Sequence, residues 1–222
     1  MQQVFRAKGF AFDLDGTLID TTPLVEQHWR EFALEHGLDA EKILETSHGR
    51  RTIETLQKWI PDKATIEMAD DMERKLTAKT DGLSILPGVA ALLEKIPLAS
   101  TAVCTAGTRH MAENRLTQVG LDVPKVMSTG DSVSRGKPDP EGYLSAAERL
   151  GIDPKDCLVF EDAPAGVQAA KAAGMDCIAC ATTHTVEQLK EAGASCVVQF
   201  LTDVDIEQLP DGSFDVIASR TL

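Results

Sequence analysis

The chain lacks long hydrophobic runs and is poor in basic residues, and both absences narrow what it can be. No apolar stretch approaches the ~20 residues that a membrane-spanning helix needs, and the first residues lack the apolar segment of a secretion signal. We therefore expect a cytoplasmic protein. Only 22 lysines and arginines oppose 35 acidic residues, which gives a formal net charge of -13. Such a chain is a poor partner for nucleic acid or an anionic membrane surface, since both attract a basic face.

The cysteines do not form the pattern of a disulfide framework or a structural metal site. There are five, an odd number, and each lies in or beside an apolar run. Cys177 and Cys180 have the spacing of a redox or zinc pair, but residues three apart in a strand point to opposite faces. No second pair completes a zinc site. We therefore predict reduced thiols in the core.

Short apolar runs alternate along the chain with segments of helical period. The strand-like runs are residues 9–12, 101–104, 125–128, 157–160, 176–179 and 196–198. This alternation predicts a Rossmann-like, doubly wound α/β fold, in which helices cover both faces of a parallel sheet. Two more short strands, 204–209 and 214–218, flank a predicted turn near the end.

One segment interrupts the alternation. From about residue 22 to residue 79 only helical patterns occur, which predicts an inserted α-helical cap. We assign residues 1–20 and 81–222 to the catalytic α/β core and residues 21–80 to the helical cap. Because ligands bind at the carboxyl ends of the strands in an open α/β sheet, the cap would lie over the binding site.

Two pairs of acidic residues follow predicted strands. Asp13 and Asp15, in the sequence FDLDGT, come directly after the first strand, and Glu161 and Asp162 follow the strand 157–160. Each pair has a simpler interpretation, an Asp-Gly turn or a helix cap. Two unit charges ~4 Å apart interact by about 4 kcal/mol at an effective dielectric constant near ~20. Four acids at one edge of a sheet therefore require a positive partner, and a divalent metal ion is the usual one.

A hydroxyl and a lysine accompany the acids. Thr105 ends the strand 101–104, and the backbone N–H groups of Ala106 and Gly107 precede a predicted helix, an arrangement that cradles an anion. Thr105 or Thr108 would equally serve as a helix N-cap. Lys137 lies in GKPDP, which does not have the spacing of a nucleotide-binding P-loop, and its simpler interpretation is a solvated surface lysine.

Taken in this order, DLDGT, VCT, GKP and VFEDAPAG resemble the motifs of the haloacid dehalogenase-like superfamily of phosphohydrolases, over essentially the whole chain. The resemblance implies a phosphomonoesterase in which Asp13 attacks phosphorus and becomes an aspartyl phosphate. Asp15 would be the general acid and then the general base. Thr105, the N–H groups of Ala106 and Gly107, and Lys137 would hold the phosphoryl oxygens.

The resemblance also implies a Mg²⁺ site. The ion would be held by the Asp13 side chain, the Asp15 backbone carbonyl and Asp162, with Glu161 as a further ligand or a group behind the ligands. Haloacid dehalogenases attack carbon and lack the second acid of the first motif. The presence of Asp15 therefore favours phosphoryl transfer over dehalogenation.

The predicted cap carries a basic segment, SHGRRT at residues 47–52, in this otherwise acidic chain. His48, Arg50 and Arg51 would bind hydroxyls or a second anionic group of the substrate, whereas the simpler interpretation is an exposed basic helix start. Together with GKPDPEGYL, VFEDAPAG and LPG at residues 86–88, this segment resembles sugar- and polyol-phosphate phosphatases, including the 2-deoxyglucose-6-phosphate and glycerol-phosphate phosphatase groups. Arg50 stands where glycerol-phosphate phosphatases often have an aromatic residue, which favours a hexose or hexitol phosphate.

Alternative functions remain open at this point. A sugar phosphomutase resembling β-phosphoglucomutase shares the motifs and the cap position but passes the phosphoryl group to a second sugar. A glycerol-3-phosphate phosphatase is a second alternative. A binding protein on an inactive scaffold would be expected to lose Asp13, Lys137 or Asp162, and all three are present. We expect a monomer whose partner is a small phosphorylated sugar or polyol.

Overall fold

The computed structural model describes residues 2–222, and its strands form one large and two small sheets. The six-stranded sheet is parallel and has the order β6-β5-β2-β7-β8-β9. An antiparallel sheet has the order β1-β11-β10, and β3 pairs with β4. The strands are β1 (Gln3–Ala7), β2 (Gly9–Phe12), β3 (Ile19–Asp20), β4 (Ser84–Ile85), β5 (Thr101–Cys104), β6 (Val126–Ser128), β7 (Cys157–Glu161), β8 (Asp176–Cys180), β9 (Cys196–Val198), β10 (Val204–Gln208) and β11 (Phe214–Ala218).

Helices cover both faces of the parallel sheet, so the predicted α/β architecture is confirmed. One face packs on α5, α6 and the antiparallel sheet, and the other face packs on α7, α8 and α9. Four further helices, α1 to α4, come between β3 and β4. The helices are α1 (Thr22–His36), α2 (Ala40–Ser47), α3 (Thr52–Trp59), α4 (Ile66–Thr77), α5 (Val89–Leu93), α6 (Arg109–Gln118), α7 (Glu141–Leu150), α8 (Pro164–Ala172) and α9 (Val186–Ala192).

The two faces of the central strands carry side chains of different size. On the first face, the rings of Phe12 and Phe160 stack with centroids 4.8 Å apart, and Phe10 packs beside them. On the second face, the side chains of Ala11 and Ala179 are small, and they belong to the cluster that α7, α8 and α9 complete. Burial on both faces explains why these strands read as continuous apolar runs in the sequence.

The helical insert has an apolar cluster of its own, which includes Trp29, Phe32, Ile43 and Leu56. It joins the core through the paired strands β3 and β4, and the end of α4 is held against α6. Arg115 of α6 is 1% exposed and donates hydrogen bonds of 2.7 Å to the carbonyl oxygens of Leu76 and Lys79. These bonds hold the C-terminal end of the inserted helices on the core.

Three parts of the fold were not predicted from the sequence. Strand β1 pairs with β11 and is mostly exposed, so it lacks the apolar pattern of the central strands. The strands β3 and β4 have two residues each, too few for a periodic signal. Helix α2 was missed although the sequence contains a helix-start signal, Asp39. Its side chain caps the N-terminus of the helix by accepting from the N–H groups of Glu41 and Lys42.

The cysteines behave as predicted. All five are buried free thiols. Cys177 belongs to the cluster on one face of the sheet and Cys180 to the cluster on the other face. Within the described part of the chain, no helix is long and apolar enough to cross a bilayer.

Candidate active site

The order of the central strands brings the predicted catalytic residues to one edge of the sheet. Strand β2 lies between β5 and β7, and all three run parallel. Their carboxyl ends therefore meet, and the residues that follow them are neighbours. The N–H of Asp13 donates to the carbonyl oxygen of Phe160 at 2.9 Å, and the N–H of Thr105 donates to that of Ser128 at 3.0 Å. These bonds continue the sheet into the site.

Lys137 is the cation of this site and not a solvated surface lysine. Its Nζ lies 2.5 Å from Oδ1 of Asp13 and 2.5 Å from Oε1 of Glu161, and it donates to the carbonyl oxygen of Cys104 at 3.0 Å. Burial alone would lower the pKa of Lys137, but the charges of Asp13 and Glu161 and their hydrogen bonds raise it above its usual value. The ammonium group therefore stays charged between the two carboxylates.

Glu161 is fully buried, and hydrogen bonds occupy both of its oxygens. Besides Lys137, Oε1 accepts from the hydroxyl of Tyr143 at 2.8 Å. Oε2 accepts from the N–H groups of Asp162 and Ala163 at 2.9 and 3.1 Å. Burial raises the pKa of Glu161, but Lys137 and these donors outweigh burial and leave the pKa below its usual value. A carboxylate with four donors has little capacity left for a metal, which favours a position behind the ligands.

Hydrogen bonds and the charge of Lys137 compensate the burial of Asp13 and Asp162 less fully, so the pKa values of both are raised. Burial, with the charge of Glu161, raises the pKa of Asp162 to about 8, although Oδ1 accepts from the hydroxyl of Thr17 at 3.3 Å and Oδ2 from that of Thr183. Burial also raises the pKa of Asp13, against the effect of Lys137. Oxygen atoms of Asp13, Glu161 and Asp162 lie within 4.8 Å of one another. Buried oxygen donors whose ionisation is costly fit a hard divalent cation such as Mg²⁺.

The turn after Asp13 serves the site directly. Gly16 has a φ of +90°, a conformation that side chains rarely adopt, and an added Cβ would overlap the carboxylate of Asp162. The turn leaves Asp15 beside the loop that follows β5, where Oδ2 of Asp15 accepts from the hydroxyl of Thr105 at 3.4 Å. Oγ1 of Thr105 in turn accepts from the N–H of Gly107 at 3.1 Å. The Asp-Gly turn and the acidic cluster are therefore one feature.

The helix that follows the Thr105 loop has a different cap. Helix α6 begins at Arg109, and the side chain of Thr108 accepts from the N–H of Met111. Thr105 therefore does not cap this helix. It lies in the loop before the helix, beside Asp15.

A cavity between the core and the inserted helices contains these residues. The space open to the centres of water-sized atoms is about 70 Å³. Asp13, Asp15, Thr105, Ala106 and Gly107 form its core side. On the side of the inserted helices it is lined by His28, Trp29, Ser47, His48, Arg50 and Glu73.

The three basic residues predicted to contact substrate have different positions. His48 and Arg50 line the cavity. Burial lowers the pKa of His48, whose ring lies 6.0 Å from that of His184 in an edge-to-face contact. Arg50 donates to the carbonyl oxygen of Lys137 at 3.4 Å.

Arg51 lies outside the cavity lining. Its guanidinium donates to Glu54 at 2.6 and 2.8 Å and to carbonyl oxygens of residues 130–134, so it joins the inserted helices to a core loop. Its predicted contact with substrate stays a prediction.

Two residues of the site were missed in the sequence. Tyr143 is the only tyrosine of the chain, is 1% exposed and has its ring centroid 5.3 Å from Nζ of Lys137. Glu73 of α4 is 6% exposed, and accepts from the N–H of Thr108 at 2.9 Å and from the hydroxyl of Thr52 at 2.8 Å. A single tyrosine was a visible signal, whereas nothing in the sequence distinguishes Glu73 from other acids of a surface helix.

Comparison with known proteins identifies the family. The model of the haloacid dehalogenase-like hydrolases matches residues 7–174, which include all the motifs described above. The chain belongs to this family. The resemblance inferred from its motifs is therefore confirmed.

Similar proteins are known from bacteria and yeast. The chain is 38% identical over 217 residues to hexitol phosphatase A of Escherichia coli, covering 96% of this chain and 99% of the relative. It is 39% identical over 200 residues to glycerol-1-phosphate phosphohydrolase 2 of Saccharomyces cerevisiae, covering 85% and 80% of the two chains. The crystal structure of β-phosphoglucomutase from Clostridium difficile superimposes with a TM-score of 0.75 at 26% identity, covering 88% of this chain and 92% of that chain.

Proposed function

We propose that this hydrolase is a Mg²⁺-dependent phosphatase of small sugar or polyol phosphates. The observation that carries the proposal is the position of Lys137, which lies between Asp13 and Glu161 and beside the carboxyl group of Asp162. One buried cation does not offset three buried carboxylates and a phosphate dianion, so the substrate requires further positive charge.

The carboxylates of Asp13 and Asp162, with the backbone carbonyl of Asp15, would hold the Mg²⁺ ion. When bound, the ion supplies positive charge that neutralises these acids and the phosphoryl oxygens. Glu161 would act through Lys137, which it holds in place, rather than as a ligand.

The reaction takes two displacements. A carboxylate oxygen of Asp13 attacks phosphorus, the bond from phosphorus to the substrate oxygen breaks, and Asp15 gives its proton to the departing alkoxide. Asp15 then takes a proton from a water molecule as that water attacks the aspartyl phosphate. The bond between phosphorus and Asp13 breaks, and inorganic phosphate leaves.

The loop after β5 and Lys137 would hold the phosphoryl group during both steps. The hydroxyl of Thr105 donates to Asp15, the ammonium group of Lys137 donates to Asp13, and the N–H of Gly107 donates to the hydroxyl oxygen of Thr105. Ala106 and Gly107 line the same cavity as the two acids. Donors that are fixed before reaction stabilise the charge that builds up on the transferring group.

The names of the relatives and the cavity support the substrate class. Both curated relatives described above act, by name, on polyol phosphates. The cavity is small and lies between the core and the inserted helices, which suits a small substrate rather than a phosphoprotein. His48 and Arg50 would contact the part of the substrate beyond the phosphate, and Arg50 favours a hexose or hexitol phosphate over glycerol phosphate.

A phosphate-release screen tests the proposal. Glycerol, pentose, hexose and hexitol phosphates are assayed with Mg²⁺ and with EDTA, using wild type and Asp13→Asn. We expect Mg²⁺-dependent release from several of them and none from the variant. Unchanged activity in Asp13→Asn would refute the mechanism. A requirement for a sugar bisphosphate, with little phosphate released, would instead support the phosphomutase alternative.

A further inference from the structure

Ser47 carries a hydroxyl whose position the proposed chemistry does not explain. It is the last residue of α2 and is 5% exposed. Its Oγ is buried and has no hydrogen-bond partner among residues 2–222. The residue lines the cavity that contains Asp13 and Asp15.

A buried hydroxyl without a partner destabilises the protein that carries it. Removing a hydroxyl from water without a replacement hydrogen bond costs about 1–3 kcal/mol in proteins. Most buried polar side chains are accordingly satisfied, and an exception calls for a specific explanation. Beside a catalytic cavity, the simplest explanation is that the partner arrives with the ligand.

The neighbouring lining indicates what kind of ligand group that is. On the same side of the cavity lie His28 and Glu73. Burial lowers the pKa of His28, which favours the neutral ring. Glu73 is held by donors from Thr52 and Thr108, and keeps acceptor capacity beyond these two bonds. Ser47, His28 and Glu73 together offer donors and acceptors without a positive charge, which suits uncharged hydroxyls.

We propose that the hydroxyl of Ser47 forms a hydrogen bond with a substrate hydroxyl remote from the phosphate, and that Ser47 is a specificity-determining residue. A serine hydroxyl both donates and accepts, as a sugar or polyol hydroxyl does. The inference rests on the proposed function, because it requires a polyhydroxylated phosphomonoester as the substrate. It adds a polar contact that His48 and Arg50 do not supply.

The test compares Ser47→Ala with wild type on three kinds of substrate: a hexitol phosphate, its singly deoxygenated analogues, and 4-nitrophenyl phosphate. We expect the variant to lose about 3- to 10-fold in kcat/KM on the hexitol phosphate, mainly through KM, because one neutral hydrogen bond is lost. One deoxygenated analogue should be correspondingly poor for wild type and no worse for the variant. Activity on 4-nitrophenyl phosphate should not change.

The melting temperature separates this role from a structural one. Alanine removes a hydroxyl that has no partner, so the substrate-free variant should melt no lower than wild type. Thr46→Ala is the matched control: this adjacent hydroxyl of α2 bonds to the carbonyl of Ile43 and accepts from Lys58 outside the cavity lining. It should leave kcat/KM unchanged on all substrates.

Two outcomes would overturn the inference while leaving the proposed function intact. One is wild-type kcat/KM on the hexitol phosphate in Ser47→Ala. The other is a lower melting temperature with equal losses on all substrates, which would indicate a bound structural water. If the variant folds poorly, the deoxygenated analogues still test the inference with wild type alone, because equal kcat/KM for the hexitol phosphate and all of its analogues would also overturn it. Failure of wild type to hydrolyse any sugar or polyol phosphate would overturn the proposed function, and the inference with it.

Discussion

The ammonium group of Lys137 lies 2.5 Å from the carboxylate of Asp13, and the two side chains are only 10% and 5% exposed. In Lys137→Met we expect loss of activity and about 3 kcal/mol lower stability at pH 8, because two buried carboxylates lose their cation. Without Lys137 these carboxyls have higher pKa values in the folded state than in the unfolded chain, so the variant should regain stability as the pH falls.

Urea denaturation of metal-free protein at pH 5 and pH 8 measures this effect. Lys8→Met is the control, since Lys8 pairs with Asp156 at the surface and its side chain is 62% exposed. That variant should resemble wild type at both pH values. A Lys137→Met protein as stable as wild type at pH 8 would contradict the account of the buried charges.

Metal binding should depend on pH through Asp162. Its pKa of about 8 in the folded protein exceeds that of an unfolded aspartate. The folded metal-free protein therefore holds an extra proton between about pH 4 and about pH 8. The stability of the metal-free protein therefore falls as the pH rises toward 8. A Mg²⁺ ion bound by Asp162 would displace this proton, so we expect the Mg²⁺ affinity to rise with pH up to about 8.

Melting temperatures with and without Mg²⁺ at pH 6, 7 and 8 measure this linkage. The Mg²⁺-induced increase should grow with pH in wild type and be absent in Asp162→Asn. An increase that is the same at all three pH values, or one that persists in Asp162→Asn, would rule out Asp162 as the ligand that exchanges a proton for the metal.

The hydroxyl of Tyr143 should support Glu161 and, through it, Lys137. Tyr143→Phe keeps the ring beside Lys137 but removes the donor to Oε1 of Glu161. We expect a loss of about 1.5–3 kcal/mol in stability, as for other hydrogen bonds to a charged group, and a several-fold lower kcat. Urea denaturation and steady-state kinetics measure both. A Tyr143→Phe protein with wild-type stability would show that Lys137 and the backbone donors alone stabilise the buried carboxylate of Glu161.

Gly166 allows helix α8 to pack on Glu161. An added Cβ would overlap the carboxylate of Glu161, which the surrounding donors hold in place. Gly166→Ala should therefore displace Glu161, destabilise the protein and reduce activity. Gly142→Ala is the matched control in the first turn of α7, because its Cβ would meet Oγ of Ser128 at 3.2 Å and Cγ1 of Val133 at 3.9 Å, without overlap. A Gly166→Ala protein with the same kcat as Gly142→Ala and wild type would mean that Glu161 tolerates displacement.

The sequence predicts the chemical centre better than the surroundings of the substrate. Asp13 and Asp15 were found because they directly follow a strand of a parallel sheet, whose order brings the strand ends together. Lys137 lies in a loop well after β6 and was found through the resemblance of GKP to the family motif. Glu73 was missed because its role depends on how the inserted helices dock on the core. Docking is set by contacts between residues far apart in the chain, such as Glu73 with Thr108, and no local pattern encodes it.

Arg50 and Arg51 are adjacent, yet the structure gives them different surroundings, and their alanine variants should differ accordingly. Arg50 lines the cavity, so Arg50→Ala should raise KM for sugar phosphates and spare 4-nitrophenyl phosphate. Arg51 holds Glu54 and the carbonyls of loop 130–134 instead. Arg51→Ala should therefore lower kcat/KM for both substrates by loosening the cap. If Arg51→Ala instead spares the aryl phosphate, its guanidinium must leave Glu54 to bind the sugar, as the sequence alone suggested.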